Sequence, residues 1–396
     1  MSTNTLLNPT IIASETLLGL EEGGVMMQHV HTQYKNEFAK VGDTITIRLP
    51  NVFRASMNDA IQLSDISERS TTLVLDTTHT QTAFEFSGRD LTLTVDEFSK
   101  RYSVPAGEAL ATKTDVDLCA KYVDVANSVG TPGITPNTFR VLGLAQALLS
   151  AERAPTKGRV GMFNADAIWA IGDAMKGTFA PTVANEIVTK GFYAHLADLS
   201  LYQEQNVAIH TTGHFTSGAT PVMNGTTASG ATSIVTNGWS GSNTVKKGDV
   251  FTIAGVYATD PLNGLSTGRL RQFVVTADTA DTGADMTIPI FPAIISSGPY
   301  QTVNAVPLTT AALTFMGSED TSYPQNLVYH PNAFALVTVP IEVPSNEWGA
   351  RMSTKSGLSL RAVKQYSITT DKEAMRFDVL AGKKTLDPAF AVRVWG

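Results

Sequence analysis

The feature that most constrains the fold of this chain lies between residues 42 and 95, where strand patterns of period two stand on either side of a long polar stretch. Four stretches alternate apolar and polar side chains, residues 44–49, 73–76, 83–86 and 91–95. Such alternation is typical of antiparallel strands with one face open to solvent. Residues 51–70 are polar and irregular. A strand pair with a polar tip has little core of its own, so we predict an extended β-hairpin loop over residues 41–95 that needs a partner to cover it.

Residues 1–40 combine a short apolar stretch with acidic side chains, and no lysine or arginine precedes Lys35. The apolar stretch contains Ile11, Ile12, Leu17, Leu18 and Leu20 and ends at Gly23-Gly24. A helix of about ten residues is marginal in isolation. We therefore predict an N-terminal arm over residues 1–40 that becomes ordered against either its own subunit or a neighbour. The late first basic residue predicts that no secretory signal is present.

Residues 96–136 carry the pattern of a long helix followed by a stop signal. Ser103 can cap this helix, and Pro105 suits its first turn. Apolar side chains recur at helical spacing, at Leu110, Val116, Ala120 and Val123. Asp117 and Lys121 have the spacing of a favourable i,i+4 pair. Glycines and prolines between residues 130 and 136 end the pattern, so we predict a helix over about residues 96–128.

The composition changes twice in the rest of the chain. Residues 137–222 carry helical and short strand patterns that are typical of a mixed α/β domain. Residues 223–303 are rich in Gly, Ser and Thr and contain several short strand patterns, which predicts a small β-barrel or sandwich. Residues 304–396 return to mixed patterns. This order predicts an α+β fold in which a small β-barrel domain is inserted into a host domain.

The charge of the chain argues against tight binding of nucleic acid. Its formal net charge is -7, and no stretch holds more than two adjacent lysines or arginines. Proteins that bind nucleic acid through its phosphates usually present a basic face. If this chain encloses DNA, we expect it to act as a container. Its apolar runs are too short to span a bilayer, so we expect no membrane partner.

Two reactive side chains have simpler structural interpretations. Ser266 lies in the string Gly264-Leu-Ser-Thr-Gly268, which has the spacing of a hydrolase nucleophile elbow. That elbow needs a strand before it and a helix after it, whereas this stretch is rich in turn residues within an all-β segment. Cys119, the only cysteine, falls in the predicted helix, where a small buried hydrophobe is the usual role. A single cysteine also excludes an intrachain disulfide, which fits a reducing cytoplasm.

Two histidine pairs have spacings that can bind a metal ion. His29 and His31 lack an acidic or cysteine partner in a fixed frame. His210 and His214 are separated by Thr-Thr-Gly, which argues against the helix that ligation at i,i+4 requires. No phosphate-binding glycine loop is present either. We therefore predict no catalytic residue, no metal site and no cofactor, so that the chain is not an enzyme.

The order of several local motifs resembles that of a known family. A strand-to-helix junction at residues 161–166 follows a helix that ends at residues 151–153. The insert contains residues 247–256 (KGDVFTIAGV) and closes with residues 300–304 (YQTVN). The carboxyl-terminal motifs are residues 329–337 (YHPNAFALV), 377–386 (FDVLAGKKTL) and 391–396 (AVRVWG). In this order the chain resembles the coat proteins of tailed bacteriophages with the Hong Kong 97-type fold. Within them it is most similar to those of the Salmonella short-tailed phages, which have an inserted β domain.

The resemblance implies a division of the chain into the parts of such a capsid subunit. These parts are an N-terminal arm (1–40), an extended β-hairpin loop (41–95), a spine helix of the peripheral domain (96–136), an axial domain (137–222), an inserted β-barrel (223–303) and a return to the axial and peripheral domains (304–396). It implies a major capsid protein that self-assembles into pentamers and hexamers of an icosahedral shell around double-stranded DNA. The implied partners are further copies, a scaffolding protein and a portal protein at one vertex. The implied locations are the virion and, during assembly, the host cytoplasm.

Six charged residues are candidate contacts in such a shell. Glu15, Glu21 and Glu22 on the arm are suited to a basic helix, such as one of a scaffolding protein, or else form a solvated acidic face. Arg54, Glu68 and Arg69 near the loop tip are candidates for intersubunit ion pairs. Exposed ion pairs contribute about 0–1 kcal/mol each, so these would set register more than cohesion. The alternatives to a capsid protein are a tail tube protein, a β-rich adhesin and, with less support, a hydrolase.

Overall fold

The computed structural model of the protein describes residues 9–34, 44–53, 68–87, 99–175, 195–215, 220–239, 242–281, 285–354 and 357–396. Over these residues the chain forms four α-helices and 23 strands. The helices are α1 (Pro9–Gly23), α2 (Val104–Cys119), α3 (Phe139–Ala151) and α4 (Ala165–Met175). None of these helices combines the length and the apolar character needed to cross a bilayer.

The strands fall before, within and after the predicted insert. Before it are β1 (Thr44–Arg48), β2 (Ser70–Val74), β3 (Thr80–Ser87), β4 (Ser128–Val129), β5 (Val160–Phe163), β6 (His195–Leu196), β7 (Leu199–Gln203) and β8 (Ile209–Thr211). Next come β9 (Val222–Met223), β10 (Ala231–Asn237), β11 (Thr244–Val245), β12 (Val250–Thr259), β13 (Ser266–Val275), β14 (Thr279–Ala280), β15 (Met286–Ile294) and β16 (Leu313–Phe315). The last are β17 (Ser322–Pro324), β18 (Asn326–Tyr329), β19 (Phe334–Val339), β20 (Trp348–Ser353), β21 (Ser359–Ser367), β22 (Lys372–Thr385) and β23 (Ala391–Val394).

The chain divides into two compact units. The first unit contains residues 1–47, 70–119 and 334–386, and the second contains residues 48–69, 120–333 and 387–396. The sheet of the first unit has the strand order β19-β22-β21-β20, with β3 beside β22. Helix α1 packs on α2 and on strands β20 and β21 of this sheet. Phe377 and Met375 of β22 are buried in it.

Three of the strands expected in the protruding loop pack within the first unit. Strand β3 pairs with β22 from Thr80↔Val379 to Ser87↔Lys372, so it is a strand of the sheet and not part of a free hairpin. Strands β1 and β2 pair with each other. Their apolar residues Ile45, Ile47 and Leu73 are buried against Ala335 and Val337 of β19. The predicted strand at residues 91–95 lies outside the described residues. The alternation was read correctly, but the partner that covers it belongs to the same chain.

The described part of the arm also packs on its own unit. Ile12, Leu17 and Leu20 of α1 are buried, which contributes about 1.5–3 kcal/mol each. Gly19 of α1 and Gly107 of α2 let the two helices approach closely, because a Cβ on either would overlap the backbone of the other helix. Of the two alternatives left open by the sequence, packing on the arm's own subunit is the one that the structure contains.

Helix α2 is shorter than the predicted helix. A π-helical turn precedes it at Ser99–Ser103, and a 3-10 helix follows it at Ala120–Asp124. Its buried face contains Leu110, Ala111, Thr114, Asp115 and Leu118. Val116 is 40% exposed, so it lies off the buried face of the helix that contains Leu110. The apolar spacing did not identify the buried face, because two of its residues, Thr114 and Asp115, are polar.

Lys383 on β22 connects three elements of the first unit. Its buried Nζ lies 2.7 Å from Asp117 Oδ2 on α2 and 2.9 Å from Asp76 Oδ2, just after β2. Burial alone would lower the pKa of Lys383, but the hydrogen bonds to both carboxylates raise it above 10.5. Burial alone would raise the pKa of Asp117, but the hydrogen bonds from Lys113 and Lys383 lower it below 3.8. The predicted partner of Asp117, Lys121, is thus replaced by two other lysines.

Replacing Lys383 with Met is expected to lower the free energy of unfolding by about 2 kcal/mol near neutral pH, because two partly exposed carboxylates lose a buried partner. The lowered pKa of Asp117 means that this stabilisation is present above pH 3.8 and is lost as the pH falls through the folded-state pKa. Urea unfolding at neutral pH and at about pH 3 measures the difference. Lys384→Met, at the next position of β22, is the control. An equal loss at both pH values would contradict the assignment.

The second unit contains a mixed sheet with the order β4-β23-β18-β5-β7-β6. Strands β5 and β7 are parallel, as are β4 and β23. Helices α3 and α4 bury Leu142, Leu149 and Ile168 in a core shared with Phe163 and Val328 of the sheet. This is the mixed α/β arrangement that the patterns in residues 137–222 predict, completed by strands from the end of the chain.

The inserted segment of the second unit is a barrel. Its sheet has the order β16-β12-β13-β15-β10-β9, and a bridge between Val222 and Ala312 joins its two ends. Phe251, Phe273 and Ile288 are completely buried inside it. Strand β16 also belongs to this barrel and lies beyond the predicted end at residue 303. The sequence did not predict it, because so short a strand gives no clear pattern. The predicted small β-barrel is otherwise present.

Candidate assembly surfaces

The acidic candidates of the arm lie on α1. Glu22 is exposed and Glu15 is half-buried, with its Oε2 buried and lacking a hydrogen-bond partner among the described residues. Helical spacing places both in one stripe with Leu18, which is 50% exposed. Glu21 lies to one side, where its carbonyl oxygen accepts a hydrogen bond from Gln28. The stripe of Glu15, Leu18 and Glu22 combines negative charge with apolar surface, which suits a basic amphipathic helix.

Asp115 of α2 fixes the turn that follows α1. Its Oδ2 accepts a hydrogen bond from the Val25 amide at 2.6 Å and one from the Met26 amide at 3.3 Å. Its Oδ1 accepts one from the Met27 amide at 2.9 Å. Asp115 is completely buried, so these bonds replace its hydration. The acid therefore sets where the chain leaves α1, and with it the position of the acidic stripe.

Replacing Asp115 with Ala is expected to destabilise the first unit by about 3 kcal/mol, because three buried amide groups lose their acceptor. Hydrogen exchange at Val25, Met26 and Met27 should accelerate more than exchange in the sheet. Thermal unfolding and exchange mass spectrometry measure the two effects. Thr112→Ala, on the exposed side of α2, is the control. Unchanged exchange at residues 25–27 in Asp115→Ala would show that the arm does not depend on this acid.

The candidate residues of the loop have partners within the chain. Arg48 Nη1 lies 3.3 Å from Glu68 Oε2, and both side chains are mostly exposed. The guanidinium of Arg69 lies 4.4 Å from the centroid of the Tyr300 ring. Arg54 lies outside the described residues. Intersubunit ion pairs at these positions stay a prediction, and the contact of Arg69 with the barrel is one that the sequence did not predict.

Ser266 lies where a turn meets a strand. It begins β13 directly after the β12–β13 turn, and Gly264 and Gly268 on either side have positive φ angles of 69° and 72°. Its Oγ accepts a hydrogen bond from the Gly268 amide at 3.3 Å. No helix follows it, so the elbow geometry is missing.

The histidines of the two predicted pairs differ in their surroundings. Burial lowers the pKa of both His29 and His31. His214 is exposed, and its hydrogen bond with Asp320 raises its pKa. His210 is buried at the base of the barrel. Among the described residues, no three His, Cys, Asp or Glu side chains come close enough to hold a metal ion together.

Cys119 is buried where α2 ends, as the sequence predicts for a small hydrophobe. Its Sγ lies 3.5 Å from the sulfur of Met26, in the turn that Asp115 fixes. The thiol therefore packs against the arm.

A polar cluster that the sequence did not predict lies between the barrel and the mixed sheet. His210 Nε2 lies 2.8 Å from Asp249 Oδ1, and His210 Nδ1 lies 3.0 Å from the hydroxyl of Tyr122. A neutral imidazole that donates from Nε2 satisfies both contacts. Asp249 Oδ2 also accepts from the amides of Gly213 and Lys246.

Arg393 lies beside this cluster and is completely buried. Its Nη1 donates to the carbonyl oxygen of Gly248 at 2.7 Å, and its guanidinium lies 5.1 Å from the centroid of the Tyr122 ring. Burial lowers the pKa of Arg393 to about 10 and raises that of Tyr323 to about 12. The sequence contained one signal for this cluster, because Arg393 is a charged residue inside the apolar run of residues 389–395.

Residues 205–396, a little under half of the chain, match the family model described as "P22 coat protein - gene protein 5". No curated protein sequence matches the chain. A solved structure from Mycobacterium phage Che8 has a TM-score of 0.51 and 14% identity, over 93% of this chain and 90% of that chain. The capsid structure of cyanophage P-SCSP1u has a TM-score of 0.44 and 10% identity, over 93% of this chain and 86% of that chain. The CUS-3 coat protein I-domain has a TM-score of 0.20 and 24% identity, over 26% of this chain and 99% of that chain.

The two kinds of match concern different properties. The Che8 match spans nearly the whole chain and concerns its fold alone. The family match covers the barrel, the strands directly before and after it, and the carboxyl-terminal strands that complete both units, whereas helices α3 and α4 lie before it. The predicted fold class, α+β of the Hong Kong 97 type, is confirmed, and the resemblance to tailed-phage coat proteins is matched over residues 205–396 by their similarity to the P22 coat protein family.

Proposed function

We propose that this chain is the shell subunit whose copies form pentamers and hexamers that close into an icosahedral capsid around double-stranded phage DNA. The match of residues 205–396 to a coat protein family is the observation that carries this proposal. The net charge of -7 supports a container over a protein that wraps DNA. The chain acts by geometry, and its role is structural and not enzymatic.

The exposed apolar side chains support assembly through many separate contacts. Large hydrophobic residues with at least half of their surface exposed occur in both units, at Leu18, Phe53, Ile134, Phe139, Trp169, Ile209, Leu265, Leu308, Tyr366 and Ile368. Heterologous contacts that close generate rings, and apolar area supplies their cohesion. Weak individual contacts let misplaced subunits dissociate, whereas their sum holds the finished shell.

The predicted parts of the chain take their roles within this proposal. The arm (1–40), the loop (41–95) and the spine helix (96–136), whose described parts pack on the subunit itself, present their outer surfaces to neighbouring copies. The axial domain (137–222), the inserted barrel (223–303) and the final segment (304–396) form the rest of the tile. A scaffolding protein during assembly and a portal protein at one vertex are the proposed partners, in the host cytoplasm before the virion is complete.

Electron microscopy of the expressed protein, alone and with its scaffolding protein, tests the function. Closed spherical particles are expected, because the contacts of a capsid subunit must close in two dimensions. Open tubes would favour a tail tube protein. Monomers in both conditions, or fibres, would favour an adhesin and contradict the capsid.

The acidic stripe on α1 gives a second test, on the scaffolding protein. The double substitution Glu15→Gln and Glu22→Gln is expected to weaken co-assembly by up to about tenfold and to reduce its dependence on salt, because exposed charges contribute about 0–1 kcal/mol each. Sedimentation of particles with bound scaffold at two salt concentrations measures this effect. Glu108→Gln, on the exposed side of α2, is the control. Co-assembly equal to that of the wild type would favour the solvated acidic face.

A further inference from the structure

Tyr300 of the barrel contacts both segments of the loop base, which we define as residues 48–53 and 68–69. Its hydroxyl donates a hydrogen bond to Asn51 Oδ1 at 3.1 Å. The guanidinium of Arg69 lies 4.4 Å from the centroid of its ring, within the range of a cation–π interaction. The amide of Leu49 donates to the carbonyl oxygen of Arg69, so the two segments are also joined to each other. One barrel side chain thus holds both sides of the loop base.

The segment that directly follows Tyr300 is fixed to the barrel strands by three hydrogen bonds. Thr259 Oγ1 at the end of β12 donates to the carbonyl oxygen of Gln301 at 3.0 Å. Thr302 Oγ1 donates to the carbonyl oxygen of Ala293 in β15. The Tyr257 amide donates to Asn304 Oδ1 at 2.7 Å. The position of the Tyr300 ring therefore follows that of the barrel strands.

The barrel is in turn fixed to the mixed sheet of the same unit. Gln272 of β13 pairs with the backbone of Ser128 in β4, since its Oε1 accepts from the amide at 2.7 Å and its Nε2 donates to the carbonyl at 2.9 Å. Arg271 forms an ion pair of 2.5 Å with Glu152 after α3, and both side chains are largely buried. These contacts, together with the hydrogen bond of Arg393 to Gly248, fix the barrel strands to the mixed sheet.

Other contacts of the loop base are weaker. The Arg48–Glu68 ion pair is mostly exposed, and such pairs contribute little. Arg69 also lies near the partly buried Asp387: burial raises the pKa of Asp387, and the Ala389 amide and the charges of Arg69 and Arg271 partly offset this. The ring of Tyr300 is the contact that both limits the direction of Arg69 and reaches the opposite segment.

We propose that the inserted barrel acts within its own subunit as a support that fixes the direction of the loop base through Tyr300. This role differs from stabilising the subunit during folding and from contacting neighbours, the two roles that an inserted domain ordinarily suggests. The importance of loop direction for the shell rests on the proposed capsid function, but the contact itself does not.

Hydrogen exchange of the unassembled full-length protein tests the support directly. Tyr300→Ala is expected to accelerate exchange in peptides that cover residues 44–53 and 68–75 by about tenfold, because the hydrogen bond to Asn51 and the ring beneath Arg69 are both lost. Tyr300→Phe removes only the hydroxyl and should give a smaller change. Arg69→Lys keeps the charge but loses the planar group and should fall between them. Strands β12 and β13 should keep their protection in all three variants.

Tyr257→Ala is the matched control, because the Tyr257 side chain is partly exposed and the bond to Asn304 is made by its backbone amide, which the variant keeps. Loop-base exchange equal to that of the wild type in both Tyr300→Ala and Arg69→Lys would overturn the proposal. If Tyr300→Ala also loses protection in β12, the barrel has unfolded, and Tyr300→Phe and Arg69→Lys decide.

Particle assembly of the same variants separates this inference from the capsid function. Irregular or mis-sized particles from Tyr300→Ala, beside closed shells from the wild type and Tyr257→Ala, are expected. If Tyr300→Ala formed regular shells like those of the wild type, despite faster exchange in the loop base, the role of loop direction in assembly would be overturned. Absence of shells from the wild type itself would instead contradict the capsid function and leave the exchange result to decide on the support.

Discussion

A domain inserted into a host sheet must leave and re-enter through neighbouring segments, and the pairing of β8 with β17 meets this constraint. Their register places His210 opposite Tyr323. Beyond the strands, the amide of Thr212 bonds to Thr321, and that of Asp320 bonds to Gly213. The barrel can close on itself only because its entrance and exit are held side by side. The closure of β9 onto β16 through Val222 and Ala312 follows a few residues further along both segments.

The buried charges next to this junction give the barrel a defined orientation. Apolar packing tolerates sliding, whereas Asp249 needs His210 and two amides at fixed positions. Burying an ionised side chain costs several kcal/mol, and breaking such a group's contacts costs about 3–5 kcal/mol. Arg393 has its Nη1 on Gly248 and its guanidinium near Tyr122, so any displacement of the barrel would leave a buried cation without its acceptor. The cluster therefore provides specificity of position more than net stability.

Sequence patterns predicted the helices and strands better than they predicted the residues that pack against them. Period-two alternation located β1, and the Gly- and Thr-rich composition located the barrel, because both depend on local chemistry. Local patterns carry no information on a partner 90 residues away, such as Asp115 for the Val25 amide. The ion pairs of Lys383 and the contact of Arg69 with Tyr300 escaped prediction for the same reason. The spacing of Val116 did not indicate the buried face of its helix, because two residues of that face, Thr114 and Asp115, are polar.

The packing of the arm and of β1–β2 within the first unit changes which surfaces are left for neighbouring copies. Residues 9–34 and the strands β1 and β2 already bury their apolar side chains in their own unit. The need for a partner therefore passes to the outer stripe of α1, to turns such as that of Leu265, and to the hairpin end at Ile368, which is 87% exposed. A subunit whose extended parts are fixed to its own body presents contacts in set directions. Preorganised contacts of this kind lose less conformational entropy on association, so small interfaces would suffice to close the proposed shell.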